Sequence, residues 1–231
     1  MVSIFSKSYQ HETPESGLTL IECLVAIVII ALTTATIAPM VVFAVATRVQ
    51  NQRTEQAMQL AQAELDKVRL VVEQGGDYGD RLVDLNLFET SASTAASVSA
   101  PSTFVASTAS VTTDTQARRI DIDGDGDNDF AIQLFRTTGI ELPPEVVGVT
   151  ESTPVVFDVG VRVYDARAER SLSTPGLSID TAGLTFTSGE GDRTTRPLAV
   201  LYSQITQGDR NGSLCQYWEY TGSVPANLQC N

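Results

Sequence analysis

Residues 17–46 read GLTLIECLVAIVIIALTTATIAPMVVFAVA, and this stretch decides how the rest of the chain is interpreted. From Cys23 to Ala46 it contains 24 residues without a charge. A helix of that length is roughly 36 Å long, which exceeds the roughly 30 Å thickness of a bilayer core. The sequence therefore predicts one membrane-spanning helix near the N-terminus, followed by a soluble region of about 180 residues.

Three kinds of targeting segment contain such an apolar run. A cleaved secretory signal would end at the small residues Ala44 to Ala46, but the region before the run is long and not basic. A lipoprotein signal is rejected, because here the run follows Cys23 instead of preceding it. The third is a cut after Gly17, before the run, which leaves the span attached to the mature chain.

Glu22, at the start of the run, favours the third interpretation. A carboxylate within lipid costs a few kcal/mol unless a cation pairs with it. A cut after Gly17 would free an α-amine on Leu18, close to Glu22 in the chain. The alternative, that Glu22 lies at the level of the lipid headgroups, stays open at this point.

Residues 16–22, SGLTLIE, followed by the apolar run, resemble the class III leader of type IV pilins and type II secretion pseudopilins. The resemblance extends to about residue 72. It includes Pro39, which falls where such pilins often carry a helix-loosening proline. Leu18 departs from the Phe or Met usual at that position, and the leader, with one Lys and two Glu, is less basic than usual.

The resemblance implies an assembly pathway and its partners. Prepilin peptidase would cut after Gly17, and Leu18 would be N-methylated. Glu22 would pair with the N-terminus of a neighbouring subunit in a helical filament, built by an inner-membrane assembly platform. The chain would cross the inner membrane once, with its head in the periplasm or outside the cell.

A second apolar pattern continues the helix beyond the membrane. Ala57, Leu60, Ala61, Leu65, Val68 and Val72 recur at three- and four-residue steps, which predicts one apolar stripe. The continuous helix is expected from about Leu18 to Gln74, ended by Gly75 and Gly76, and kinked or locally melted at Pro39. Packing of the stripe against a head domain is favoured over a coiled-coil seam.

These patterns divide the chain into a leader (1–17), a membrane and assembly helix (18–46), an amphipathic helix (47–74) and a head (75–231). Strands are expected at Phe130–Phe135, Val155–Tyr164, Leu184–Thr187 and Leu198–Ile205. In the second strand, Phe157, Val159, Val161 and Val163 share one face, with Asp158 and Arg162 on the other. The fold class is therefore α+β, a long helix packed on an antiparallel sheet, which also matches a pilin head.

The Ser/Thr/Ala-rich residues 91–115 are interpreted as an exposed variable loop, with a glycosylated tract or an edge hairpin as alternatives. Apolar and polar residues alternate weakly from Val105 to Val111, which is typical of an edge strand.

Residues 121–129 read DIDGDGDND and carry five carboxylates at alternate positions. Such a run begins like a calcium-binding loop, so Asp121, Asp123, Asp125, Asp127 and Asp129 are the predicted Ca²⁺ ligands. The loop lacks the acid that would complete an EF-hand, and Glu141 is the proposed remote ligand. The alternative is an exposed acidic turn paired with Arg118 and Arg119.

Cys215 and Cys230 enclose a short C-terminal loop and favour one disulfide in an oxidising compartment over a zinc site. Tyr217, Trp218 and Tyr220 lie within that loop, and core packing is favoured over an exposed adhesive patch.

Several functions are excluded by composition. The net charge of −13 opposes nucleic-acid binding, and the single His11 leaves no histidine-dependent triad or zinc site. With no phosphate-binding or nucleophile motif either, we expect no enzyme. The sequence predicts a minor pilin or pseudopilin that assists secretion or motility. The alternative is a calcium-binding adhesion module, released by signal peptidase after Ala46.

A finer resemblance concerns residues 161–168 and 197–205, which are similar to cyanobacterial pseudopilins of hormogonium polysaccharide secretion. It implies work in exporting a polysaccharide that supports gliding motility.

Overall fold

A computed structural model describes residues 17–76, 78–142, 153–183, 192–208 and 213–223. The chain separates into two compact units, residues 1–48 and 49–231. Helix α1, Leu20–Glu73, begins in the first unit and ends in the second, which confirms the prediction of one long helix. The helix continues on both sides of Pro39, so the predicted melting there is wrong. Proline removes one backbone donor, and the bonds of the flanking turns keep the helix intact.

The elements that follow α1 build one sheet with short helices around it. The strands of this sheet are β1 (Phe88–Thr90), β2 (Thr103–Val105), β3 (Gln116–Ile120), β4 (Phe130–Thr137), β5 (Ile140–Leu142), β6 (Thr153–Asp165) and β7 (Ala199–Thr206). The helices are α2 (Gly79–Asp84), the 3₁₀ helices η1 (Ala95–Ser97) and η2 (Ala166–Ser171), and α3 (Ser213–Thr221). The α+β fold class is thus confirmed. The expected strand at Leu184–Thr187 lies outside the described residues.

Strand β6 is the centre of the sheet. It pairs with β7 along one edge and with β4 and β5 along the other, all antiparallel. Strands β3 and β1 pair with β4, and β2 pairs with β3. The predicted sheet was antiparallel throughout, but β1 and β2 pair in parallel with their neighbours, so the sheet is mixed. The segments around these two short strands are long enough to enter the sheet in either direction.

The main core lies between the second half of α1 and one face of the sheet. The predicted stripe is buried there, with Ala57, Ala61 and Val68 fully inaccessible and Leu60 partly buried. It packs on side chains from the facing strands, among them Phe157, Val159, Val161 and Val163. Packing against the head domain is therefore confirmed for the stripe. Ala57 and Ala61 have small side chains, which allow the helix backbone to approach the sheet closely.

The opposite face of the sheet is covered as well, which the sequence did not predict. Residues 91–102, here called the strap, contribute the buried side chains of Ala95 and Val98, which pack on Phe135. The interpretation of 91–115 as an exposed loop is therefore wrong for Ala95 and Val98, whereas most other residues of the strap are exposed. The strand expected at Val105–Val111 is also wrong, because β2 ends at Val105. Phe104 instead anchors this strand in a small cluster with Ala117 and Tyr164.

Arg162 holds the strap against the sheet. The strand alternation places it with Asp158 on the face opposite Phe157, and it is fully buried there. Its guanidinium donates to the carbonyl oxygens of Val98 (2.8 Å) and Ser99 (3.2 Å) and to the Tyr202 hydroxyl (2.9 Å). It also lies 5.0 Å from the centroid of the Phe135 ring. Backbone carbonyls at the end of a short helix carry partial negative charge, so they can stabilise a cation without a carboxylate.

Candidate functional site: the N-terminal helix and the acidic loop

The predicted cleavage position lies just before the first turn of α1. Gly17 and Leu18 are exposed and non-helical, and Leu18 is 72% accessible. Thr19 begins the helix by accepting the amide of Glu22 at its backbone oxygen (3.0 Å) and at its hydroxyl (3.3 Å). An exposed, non-helical peptide bond next to a capped helix is accessible to a peptidase.

Glu22 lies in the first turn of α1 and is exposed. Its carboxylate is near the positive end of the helix dipole, which is favourable for an anion. Within the described part of the chain, no Lys or Arg forms an ion pair with Glu22. A cation that pairs with this carboxylate in lipid would therefore have to come from beyond the described residues or from another molecule.

The first half of α1 presents an uninterrupted apolar surface. Residues 18–46 are all exposed, and the chain has one described helix that is long and apolar enough to cross a membrane. The hydroxyls of Thr33, Thr34 and Thr36 donate to carbonyl oxygens one turn earlier, at 2.8–3.0 Å. These polar groups are satisfied inside the helix, which suits an apolar environment. Cys23 is a free, exposed thiol on this surface.

The acidic loop brings three of its five aspartates together. Carboxylate oxygens of Asp121, Asp123 and Asp129 lie within 4.8 Å of one another. Asp125 and Asp127 are outside this group, and the Asp125 carboxylate instead accepts the amide of Asp127 at 2.8 Å. Three carboxylates supply part of the six to eight oxygen ligands that Ca²⁺ takes. The residues therefore fit a calcium site in part, with the remaining oxygens left to carbonyls or water.

Two glycines shape this loop. Gly124 (φ +75°) and Gly126 (φ +94°) adopt the left-handed conformation that side chains disfavour. Their amides donate to the two carboxylate oxygens of Asp121, at 2.7 and 3.0 Å. At its base the loop is closed by a hydrogen bond from the Asp129 amide to the carbonyl oxygen of Ile120, at 2.9 Å. The loop backbone therefore wraps around the carboxylate of Asp121, one of the three that converge.

The charge crowding in the loop perturbs Asp123. The hydrogen bond from the Asp125 amide lowers the pKa of Asp123, but partial desolvation and repulsion from Asp125, Asp129 and Asp121 outweigh it. The pKa of this carboxyl is therefore raised above its ordinary value of 3.8. A bound cation would relieve the repulsion.

Two predictions about partners of the acidic loop are wrong. These are Glu141 as a remote Ca²⁺ ligand and, in the alternative interpretation, Arg118 and Arg119 as ion-pair partners. Glu141 pairs with Pro154 at one end of β6, whereas the loop joins Phe130, which pairs with Asp165 at the other end. Asp165 is eleven residue steps along β6 from Pro154, a distance of roughly 36 Å. Arg118 and Arg119 do not pair with the loop either. Arg118 lies 3.8 Å from Glu64 of α1, and Arg119 forms an ion pair with Glu169 of η2.

Two buried carboxylates that the sequence did not single out join elements within the head. Glu64, 3% accessible, lies on the buried face of α1 between Lys67 (2.7 Å) and Arg118 of β3 (3.8 Å). Asp165, 1% accessible, binds Arg167 (3.0 Å) and lies 3.6 Å from Arg53 of α1. Helical periodicity is recognised from apolar positions, so Glu64, a charged residue on the buried face of α1, could not be recognised as buried from the sequence.

The environment of Asp165 favours its ionised form. Burial raises the pKa of this carboxyl, but hydrogen bonds from the Arg167 side chain and amide, with the charges of Arg167 and Arg53, outweigh it. The pKa of Asp165 is therefore lowered from its ordinary value of 3.8.

The C-terminal aromatics lie on a helix that packs on β6. Tyr217, Trp218 and Tyr220 belong to α3 and are all half-buried, so neither full core burial nor full exposure describes them. The rings of Tyr217 and Trp218 meet edge to face with centroids 5.5 Å apart. Cys215 lies in the same helix, and Cys230 lies outside the described residues, so their disulfide stays a prediction.

Comparison with protein-family models, with curated proteins and with solved structures found no match to this chain.

Proposed function

We propose that the chain is a minor pilin or pseudopilin, a structural subunit of a type IV pilus or type II secretion-like filament. The observation that supports the proposal is that the two halves of α1 differ in exposure. Its residues before 47 are exposed and apolar, while residues 57–72 hold the head through a buried stripe. A monomer in water would pay a large hydrophobic penalty for the first half, so this half requires lipid or neighbouring helices.

In the proposed mechanism, prepilin peptidase cuts after Gly17 and Leu18 is N-methylated. The helix then remains in the inner membrane until assembly. At the assembly platform its contacts with lipid are replaced by contacts with neighbouring helices. Glu22 pairs with the N-terminus of an adjacent subunit, which removes the cost of a carboxylate in an apolar surrounding. The head is displayed on the outside, and the finer proposal is that the filament assists secretion of a polysaccharide or motility.

One feature of the head remains a prediction that accompanies this proposal. The acidic loop is expected to hold Ca²⁺ as a structural ion through Asp121, Asp123 and Asp129. The alternative function, an adhesion module released after Ala46, would leave the same loop on a soluble protein. Continuity of α1 through residues 44–47 supports the filament proposal over that alternative, because peptidases cut extended segments more readily than intact helices.

The test is the substitution Glu22→Ala in the native host, with Glu55→Ala as the matched control. Both residues are exposed glutamates of α1, and only Glu22 lies in the apolar half. We expect Glu22→Ala to leave cleavage intact and to lower the amount of sheared, pelleted filament at least about tenfold, as loss of a pair in lipid requires. Normal incorporation of Glu22→Ala would contradict the proposal.

A further inference from the structure

The outer edge of β7 (Ala199–Thr206) has no strand beside it among the described residues, where β7 pairs with β6 alone. The amide of Gln207 donates to the carbonyl oxygen of Val155 at 2.9 Å, so the odd-numbered residues of β7 bond to β6. In an antiparallel pair, the residues between them direct their N–H and C=O groups away from the partner strand. The outward main-chain groups of β7 therefore belong to Val200, Tyr202, Gln204 and Thr206.

These outward groups form an accessible edge. Tyr202, Gln204 and Thr206 are exposed, and no main-chain hydrogen bond within the described part of the chain reaches their outward groups. The Ser203 hydroxyl lies 3.5 Å from the carbonyl oxygen of Gln204, beyond the range of a strong hydrogen bond. The eight residues of β7 include neither a charge nor a proline. Sheets usually protect an open edge with charges, prolines or bulges, so this edge is suited to pairing with another strand.

The end of α1 forms a wall beside this edge. A groove of about 200 Å³ lies between them, lined by Arg69, Val72, Glu73, Gln204, Ile205 and Thr206. The guanidinium of Arg69 donates to the Ser203 hydroxyl at 3.0 Å, which places a cation beside the middle of β7. An open strand edge accepts an extended peptide as an added strand, and the groove beside it gives such binding its specificity.

The groove has one charge of each sign on its helical wall. Arg69 is about half exposed, and its contact with Asp66, at 3.4 Å, is an exposed ion pair that leaves its charge accessible. Glu73, one helical turn later, is exposed and forms no ion pair within the described residues. Both charges are therefore available to a segment that enters the groove.

These charges determine which segment the groove fits. If β7 of a second copy paired around Ser203, the register that joins all outward groups, two Arg69 side chains would meet and repel each other. A segment with an acidic residue opposite Arg69 and a basic residue opposite Glu73 would instead pair with both. Four residues of a helix span about 6 Å and two residues of a strand about 6.6 Å, so the two charges belong at positions i and i+2 of the segment.

We infer that β7 and the last turns of α1 bind an extended segment of a partner protein by β-strand addition. An acidic and a basic residue of that segment, two positions apart, face Arg69 and Glu73. Main-chain hydrogen bonds to the outward groups of Tyr202, Gln204 and Thr206 hold the segment, and the two charges fix its register. The inference concerns the head alone, so it does not depend on cleavage after Gly17 or on filament assembly.

The first experiment measures peptide binding to the full chain in dodecylmaltoside micelles by fluorescence anisotropy. Two fluorescein-labelled heptapeptides, TVEVKVT and TVKVEVT, present the charges in the orders that the two strand directions require. We expect one of them to bind with a Kd below about 1 mM. The isomer TVVEKVT, whose charges lie on opposite faces of a strand, should bind about fivefold more weakly. Equal binding of all three peptides, or binding of none, would overturn the inference.

The second experiment tests the main-chain hydrogen bonds. The amide of Gln204 points away from β6, so Gln204→Pro removes an outward donor without breaking a bond inside the sheet. This variant should bind the preferred heptapeptide at least about tenfold more weakly. Gln204→Ala is the matched control, because it keeps the amide and should keep the affinity. Equal affinities of the two variants would overturn the inference.

A charge reversal keeps the inference testable if the proline variant does not fold. Arg69→Glu combined with Glu73→Arg exchanges the two charges on the wall of the groove. The double variant should therefore prefer the other heptapeptide of the pair, a result that loss of folding cannot produce. An unchanged preference would overturn the inference.

Discussion

Two carboxylates on the same helix, Glu22 and Glu64, have opposite environments. Glu22 is exposed among apolar side chains and has no cation beside it in the described part of the chain, whereas Glu64 is buried between Lys67 and Arg118. Removing one partner of a buried ion pair leaves the other charge unpaired within the fold, which destabilises it. A carboxylate on an apolar surface without a partner costs free energy until another molecule supplies one. Under the proposed function, the difference assigns the two halves of α1 to different tasks: the first half to assembly and the second half to folding of the head.

The largest expected difference in the stability of the head comes from placing an aspartate in each half of α1. Val68→Asp buries a carboxylate where the wild-type side chain is fully inaccessible and should destabilise the head by about 4 kcal/mol. Val28→Asp, in the exposed half, should leave the head unchanged. The denaturant midpoint of the full chain in detergent, followed by the fluorescence of the single Trp218, measures both. Equal midpoints for the two variants would remove the distinction between the halves.

The next largest difference in the free energy of unfolding is expected between the variants that remove Glu64 and Glu22. Glu64→Ala leaves Arg118 without its partner on the buried face and should lower the free energy of unfolding of the head by about 2 kcal/mol. Glu22→Ala should change it by less than about 0.5 kcal/mol, as for other exposed positions. The same fluorescence titration checks both variants. Destabilisation by Glu22→Ala comparable to that by Glu64→Ala would show that Glu22 also belongs to the fold.

A third carboxylate, Asp165, extends the comparison to pH. Its pKa is lowered in the folded head, so its contribution to stability is complete above its unfolded-state pKa near 4 and is lost as pH falls through the folded value. Asp165→Asn should cost about 1.5 kcal/mol at pH 7, with allowance for the exposure of both arginines. The difference from wild type should shrink below pH 4. A difference that stays constant from pH 7 to pH 3 would contradict this account of Asp165.

The smallest effect concerns the carboxylates of the acidic loop. With Ca²⁺ at fivefold excess over its Kd, the head should gain about 1 kcal/mol, or about 2–4 °C in Tm. Asp123→Asn should abolish this gain. Asp127→Asn should retain it, because Asp127 lies outside the group of three converging carboxylates. Differential scanning fluorimetry with Ca²⁺ and with EDTA makes the comparison, and an equal gain in both variants would place the ion elsewhere.

Apolar periodicity explains why much of the fold could be predicted. The stripe of α1 and the alternation of Phe157, Val159, Val161 and Val163 each repeat one physical requirement, burial of one face, several times along the chain. The positions of α1, β4, β6 and β7 follow from such repeats. In the acidic loop, Gly124 and Gly126 are local signals of the same kind, because few other residues adopt their left-handed backbone angles.

Buried charges explain most of what was missed. The strand alternation placed Arg162 with Asp158 on the face opposite Phe157 and gave no sign that it is buried, because its main partner, the carbonyl oxygen of Val98, is 64 residues away in sequence. Every residue has a backbone carbonyl, so its role as an acceptor cannot be recognised from the sequence. The packing of residues 91–102 on the sheet could therefore not be predicted. The error at Glu141 has a similar origin, since only strand register shows that it lies far from the acidic loop.

Under the proposed function, the mature chain keeps the apolar half of α1 and begins at Leu18. Intact mass and N-terminal sequencing of the protein purified from the membrane fraction are the decisive test. We expect a mature chain that starts with N-methylated Leu18. A mature chain that starts at Thr47, found in the soluble fraction, would contradict it and would favour the secreted adhesion module.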